Sequence, residues 1–250
     1  VLAAERRLKI LEFMAGKQVV TVAESAARFG VSEVTIRKDL ERLEAQGYLR
    51  RIHGGAVMAA GHDVALSIRY QKHRAEKTRI AAYAATLSAP GETVILDSGT
   101  TTALLASHLT ALSKVTVVTN SVQIANDLAA REIDVVMIGG AVRPSTFSCV
   151  GQLTERALRE FNAARTFLAI NGVSAERGLT NANLQEVPVK QAMIRAGRQV
   201  ILLADSSKLG QLSLALVAPI EAVHLVVTDR AAPESEVAAI RSRGVEVVTV

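Results

Sequence analysis

The chain has 250 residues, 49% of them hydrophobic and 21% charged, with a net charge of +5 and one cysteine, Cys149. That composition fills one large core or a small and a medium one and excludes general disorder, while a lone cysteine excludes an internal disulfide and fits a reducing, cytoplasmic setting. No apolar run approaches the roughly 18 to 20 residues that span a bilayer, no basic-then-apolar leader opens the sequence, and no His/Cys cluster has metal spacing, so no membrane partner, metal or cofactor is expected.

The chain starts at Val1 rather than Met, which leaves a missing or recoded start open. Leu8, Ile10, Leu11, Phe13 and Met14 recur at helical spacing, predicting an amphipathic helix over 4–15 that ends before Gly16. In VVTVAESAARFG, Thr21 caps a second helix with Glu24 three residues on as a capping box. That helix packs Val22, Ala26 and Phe29, and Gly30 makes the turn. VSEVTIRKDLERLEAQG gives a third helix with Ser32 at its N-cap, completing a helix-turn-helix.

Ile36, Leu40 and Leu43 follow i, i+4, i+7 and form the buried stripe of the third helix, which turns Val34, Thr35, Arg37, Lys38 and Arg42 outward. Short residues near the N-terminus for base edges, then cations for phosphates, are what a helix in the major groove needs. An ordinary solvated face is the alternative. After Gly47 the run YLRRIHGGAV alternates Leu49 and Ile52 with Arg50, Arg51 and His53 and turns at Gly54–Gly55. This reads as the β-ribbon wing of a winged helix-turn-helix, with Arg50 and Arg51 on phosphates. The expected DNA-facing set is therefore Ser32, Val34, Thr35, Arg37, Lys38, Arg42, Arg50, Arg51 and His53. Charge agrees: residues 1–57 hold 10 Lys/Arg against 7 Asp/Glu and 58–80 hold 5 against 2, while the remaining 170 hold 14 against 15. The polyanion partner is expected on the N-terminal part alone.

Residues 58–73 lack a clear period and read as a linker between a domain over 1–57 and another over 74–250. A helix from Arg74 carries Ile80, Ala81 and Ala84 and stops at Pro90–Gly91. Seven β-rich runs follow, at 93–97, 115–119, 134–138, 166–170, 199–204, 224–228 and 245–250, with helical patterns such as 101–109, 120–131 and 186–197 between them. Near-continuous β-branched strands with helical crossovers predict an open, mostly parallel α/β sheet, whose ligands gather at the strands' carboxyl ends. The loops there are polar: DSGTT, Asn120–Ser121, Gly139–Gly140, Asn171–Gly172 and the run Asp205–Lys208. Each alone is an ordinary cap or turn. Five at successive strand ends, with Arg143 and Lys208 adding charge, point to a shared small-molecule site. Its expected residues are Asp97, Ser98, Gly99, Thr100, Thr101, Asn120, Ser121, Gly140, Arg143, Asn171, Gly172, Lys190 and Lys208.

GVSEVTIRKDLERLEAQGYLRRIHGGA resembles the DNA-binding signature of the DeoR family of bacterial transcriptional regulators. LDSGTT, VTNS, IGG with Arg143, NGV…GLT, EVPVKQAMI and LADSSKLG resemble that family's sensor domain, which is similar in fold to ribose-5-phosphate isomerase. The resemblance implies a phosphorylated sugar or related metabolite as effector, with DSGTT at its phosphate, and release of repression on binding. It also frames the enzyme alternative, a sugar-phosphate isomerase with an N-terminal interaction module. An isomerase needs carboxylates to move a proton. Where such enzymes carry acids this chain has Asn171, Ser174 and Lys190, with Glu186 one turn away as a conceivable substitute. No catalytic residue is expected. The reading is a repressor that binds operator DNA as a dimer or tetramer and answers to the effector. A regulator whose second domain only oligomerises is the third possibility.

Overall fold

A computed structural model describes residues 3–16, 19–45, 49–58, 66–110 and 114–250. Gly47, the Leu8 side chain and residues 59–65 of the expected linker lie outside the described ones. The chain divides into two compact units, Val1–Lys72 and His73–Val250.

In the first unit α1 (Ala3–Gly16) buries Ile10, Leu11 and Met14. A short strand, β1 (Val19–Thr21), runs straight into α2 (Val22–Phe29), where the Thr21 hydroxyl accepts the Glu24 N–H at 3.1 Å. Gly30 ends α2 in the left-handed region at φ 63°, a conformation that costs a residue without Cβ nothing. In α3 (Glu33–Ala45) the stripe Ile36, Leu40, Leu43 is buried against α1 and α2. The ribbon is β2 (Leu49–Ile52) and β3 (Gly55–Met58), paired antiparallel. Its turn is His53–Gly54, and Gly55 already belongs to β3, one residue earlier than the Gly-Gly pair suggested. β1 adds to β3 as a third strand, in the order β1-β3-β2. Three residues are too few for alternation to register, which is why the sequence concealed it. A further helix, α4 (Leu66–Gln71), stands where a structureless linker was expected.

The second unit runs α5 (Arg74–Ala85), β4 (Thr93–Leu96), α6 (Thr100–His108), β5 (Thr116–Thr119), α7 (Val122–Ala129) and β6 (Val135–Met137). A hairpin of β7 (Ala141–Arg143) and β8 (Ser148–Val150) and the helix α8 (Gln152–Leu158) lead to β9 (Ala163–Ala169). Then come β10 (Gly172–Ser174), β11 (Gly178–Asn181), α9 (Val187–Ala196), β12 (Gly197–Leu203), β13 (Ala215–Ala218), β14 (Leu225–Thr228), α10 (Glu234–Ser242) and β15 (Glu246–Thr249).

The seven apolar runs form one parallel sheet in the order β15-β14-β12-β9-β4-β5-β6. Alternate residues feed opposite faces. Val94, Leu96, Val117, Phe167, Ile201 and Val227 pack with Ile80 of α5, Leu105 of α6 and Leu128 of α7. Ile95, Val118, Leu168, Leu202 and Val226 pack with Leu158 of α8, Met193 of α9 and Ile240 of α10. Both faces are covered, as continuous β-branched strands require. A small antiparallel sheet, β10-β11-β13, is the part that pattern reading missed. The chain runs outward from β4 to β6 and returns on the other side of β4 as β9. The topological switch point, where open α/β sheets form their crevice, therefore lies between the carboxyl ends of β4 and β9.

Candidate functional site

Two surfaces gather the chemistry, one in each unit. On α3 the Ser32 Oγ accepts the Thr35 N–H at 3.2 Å and lies 2.9 Å from the Thr35 hydroxyl, so the helix starts on a cap. Val34 is 59% exposed, and Arg37, Lys38 and Arg42 lie on the same outward side. Arg37 pairs along the helix with Glu33 at 2.8 Å; Lys38, Arg42 and Arg50 make no ion pair among the described residues. His53 is exposed at the ribbon's turn.

Arg51, expected on phosphates, is ion-paired within its own unit. Its backbone N–H and Nε donate to Glu44 at 2.7 and 2.8 Å, and its second guanidinium nitrogen reaches Glu41 at 2.8 Å. The backbone N–H first, then the guanidinium, hold the Glu44 carboxyl below its usual pKa. Arg51 thus ties the ribbon to α3. A second pairing went unread in the sequence: Asp39, buried on α3, accepts Arg6 Nε at 2.6 Å and Arg7 at 3.4 Å, aligning α1 with α3. The signal was present, since Asp39 follows the stripe residue Ile36 by three positions and must face inward.

At the sheet, Asp97, Ser98, Gly99, Thr100, Thr101, Asn120 and Ser121 gather at the carboxyl ends of β4 and β5, and Lys190 reaches them from α9. Leu96 of β4 stands beside Thr119 of β5, whose hydroxyl donates to the Leu96 carbonyl at 2.7 Å, so Asp97 and Asn120 leave the sheet side by side. Asp97 Oδ1 accepts the Ser98 N–H at 2.8 Å and its Oδ2 accepts the Ala169 N–H at 3.0 Å and Lys190 Nζ at 2.5 Å. Lys190 also donates to the Ala169 carbonyl at 2.9 Å. Both groups are buried. The pair closes the switch point from beneath and fixes the turn above it. Gly99 packs so closely on β9 that a Cβ there would lie 2.6 Å from the Ala169 methyl, so the loop tolerates no side chain at that point. Thr102, by contrast, spends its hydroxyl on the Asp97 and Gly99 carbonyls.

Some polar groups remain unspent. The hydroxyls of Ser98, Thr100 and Thr101, all buried residues at the start of α6, make no hydrogen bond among the described residues. Asn120 is 1% exposed; its Nδ2 donates to the Cys149 carbonyl at 2.9 Å, and its Oδ1 has no partner. Ser121 instead caps α7 through the Ile124 N–H at 3.3 Å. Burial alone raises the pKa of Cys149.

Five of the expected residues, Arg143, Gly140, Asn171, Gly172 and Lys208, are engaged elsewhere or lie farther from β4. Arg143, on β7, is buried and ion-paired with Glu186 at the start of α9, which also accepts Asn181 Nδ2 at 2.9 Å. It is not the open positive charge the sequence suggested, because its counter-ion arrives from 43 residues away. The same pairing makes Glu186 the partner of a guanidinium. Gly140 lies where the Thr154 hydroxyl fastens the preceding Gly139 carbonyl to α8 at 2.8 Å. Asn171 Oδ1 accepts the Ala182 N–H at 3.0 Å, and Gly172 pairs with Thr180 across β10 and β11. Lys208 is half-buried on a 3-10 turn, Ser206–Lys208, after β12, two strands from β4. Among the described residues no His/Cys/Asp/Glu group could hold a metal ion, and no helix is long and apolar enough to cross a membrane.

Comparison with known proteins agrees with this division. Residues 6–61 match the DeoR-like helix-turn-helix domain and residues 72–230 the DeoR C terminal sensor domain. The chain is 36% identical over 235 residues to the uncharacterised HTH-type transcriptional regulator YgbI of Escherichia coli K12, covering 92% of this chain and 91% of the other. It is 34% identical over 229 residues to the transcriptional repressor AccR of Agrobacterium fabrum, covering 90% and 89%. Among solved structures, ribose 5-phosphate isomerase A from Methanocaldococcus jannaschii aligns with a TM-score of 0.42 and 18% identity over 55% of each chain. The chain belongs to the DeoR family of DNA-binding transcriptional regulators.

Proposed function

We propose that the chain is a repressor whose DNA affinity is set by a phosphorylated sugar, or a related hydroxylated anion, bound at the carboxyl ends of β4 and β5. The observation that carries this reading is Asn120 Oδ1, a buried acceptor without a partner, beside the Ser98, Thr100 and Thr101 hydroxyls, which make no hydrogen bond among the described residues. An unmade hydrogen bond at the buried Asn120 Oδ1 costs free energy, and a ligand that supplies it recovers that cost. The hydroxyls and the first N–H groups of α6 suit a phosphate, and the Asn120 carbonyl oxygen, which can only accept, suits a sugar hydroxyl. Asp97 and Lys190 orient the loop from below.

Ser32, Val34, Thr35, Arg37, Lys38, Arg42, Arg50 and His53 form the DNA face in this reading, with Arg51 holding the ribbon in place. Two or more copies associate, since helix-turn-helix proteins read paired half-sites. Ligand binding then releases the DNA. An isomerase would need a base at the switch point, and Asn171, Ser174 and Lys190 supply none. A thermal-shift screen of sugar and polyol phosphates against the full chain tests the effector. A true ligand at a hundred times its Kd stabilises by about 2.7 kcal/mol, which raises the melting temperature by roughly 5–10 °C. No shift with any member would sink the effector reading, and turnover of one would restore the enzyme.

A further inference from the structure

The stretch QLSLALVA, residues 211–218, is unusual for a solvent-facing strand. Leu212, Leu214 and Leu216 are 57%, 74% and 58% exposed, whereas Val217 between the sheet and α9 is buried. Exposure alternates along the segment, with Ser213 and Ala215 half-buried between the leucines, through a bend at Leu214 and into β13, so the three leucines share the solvent side. β13, which holds the last of them, is an edge strand with β11 on one side only. No charged residue occurs between Lys208 and Glu221. A single exposed leucine is ordinary; the pairing of β13 with β11 has a register shift and Pro219 follows it, yet three leucines more than half exposed within five residues form an apolar row of the kind that marks a contact surface.

We propose that this leucine row is the face through which two copies of the chain associate about a two-fold axis. A two-fold contact uses the same patch on both sides, so the patch must complement itself. An uncharged row of leucines does, whereas nucleic acid or a charged partner finds nothing in it to hold. A second copy is also the occupant that the helix-turn-helix requires, because paired half-sites are read by paired heads; the inference rests on the regulator reading in that respect.

The row is fastened to the candidate effector site. Gly210 N–H donates to the Val173 carbonyl at 2.8 Å, and Ser213 N–H donates to the Thr180 hydroxyl at 2.9 Å, which itself donates to the Gly172 carbonyl at 3.1 Å. Gln191, the neighbour of Lys190 on α9, donates to the Val217 carbonyl at 2.9 Å. The elements that hold Asn171, Gly172 and Lys190 are thus bonded to the segment that carries the leucines. A ligand that adjusts the switch point acts on the subunit contact through them.

Light scattering on the full-length chain at micromolar concentration, with each variant's melting curve as a check on folding, tests the proposal. The wild type is expected at twice 26.6 kDa or a higher multiple. Leu212→Lys/Leu214→Lys alters only exposed positions and is expected to fold, to weaken association by about a hundredfold or more, and to halve the mass at least. Leu153→Lys, at a leucine 73% exposed on α8, is the control and should leave the mass unchanged. The proposal is overturned by a wild type that is monomeric, by a double variant that keeps the wild-type mass, or by a control that dissociates as readily. Retention of a mixed-sequence DNA duplex at low salt is measured alongside. If the double variant dissociates but the wild type binds no duplex, the contact face stands and the regulator reading falls.

Discussion

Asp97 and Lys190 are 93 residues apart and meet in the interior, at the point where the chain reverses its direction across the sheet. A buried carboxylate next to a buried ammonium is costly to create and more costly to halve, since removing one partner leaves the other charge unpaired. Lys190→Met is therefore expected to destabilise the sheet unit by about 3–5 kcal/mol, measured on its transition in urea. Adding Asp97→Asn should recover a substantial part of that loss. If the double variant is as unstable as both single losses combined, the two residues act independently and the pairing is of no consequence. At this scale the place of DSGTT at the carboxyl end of β4 was legible, because an apolar run that gives way to Asp, Ser, Gly and Thr marks the end of a strand. The state of Arg143 was not. Its counter-ion, Glu186, sits on a different element, and no local pattern announces a pair that only the tertiary fold assembles.

Regular elements were read where their period is long and their residues strongly biased. All seven parallel strands were found from runs such as TVIL and TVVT, and β6, itself three residues long, from the longer apolar run around it; β1, β7, β8 and β10 are as short and were not found. The ribbon shows what such reading misses even when an element is found. Arg50 and Arg51 are neighbours and look alike, yet successive strand residues face opposite sides. Arg51 faces α3 and is held by Glu41 and Glu44, while Arg50 has no ion pair among the described residues. Only Arg50 is then available to displace counterions from DNA. Arg50→Ala should flatten the dependence of log K on log salt by about 0.9, the contribution of one phosphate contact. Arg51→Ala should leave that slope unchanged and speed hydrogen exchange of the ribbon amides, because it releases the ribbon from α3. Equal flattening by both substitutions would show that the Glu41–Glu44 ties open when DNA binds.

For the molecule as a whole, the composition already separated a basic N-terminal third from a nearly neutral remainder, and the helix-turn-helix and sensor domains of the family fall on either side of nearly the same division. Coupling between two such sites is a free energy and must act in both directions. If the effector lowers operator affinity by some factor, operator DNA lowers effector affinity by the same factor, within a range of roughly 5–150-fold for typical couplings. Titrating the effector with and without saturating operator at fixed salt, and the operator with and without saturating effector, gives two ratios that must agree. An effector that raises the melting temperature yet leaves operator affinity unchanged would separate binding from regulation. The crevice would still bind its ligand, but the link from Gly172 and Gln191 to the leucine row would carry no signal. Lys38→Ala sharpens the comparison, because it should weaken operator binding from the DNA face while leaving the effector's affinity for the unliganded protein unaltered. A loss of both would place Lys38 within the coupling itself.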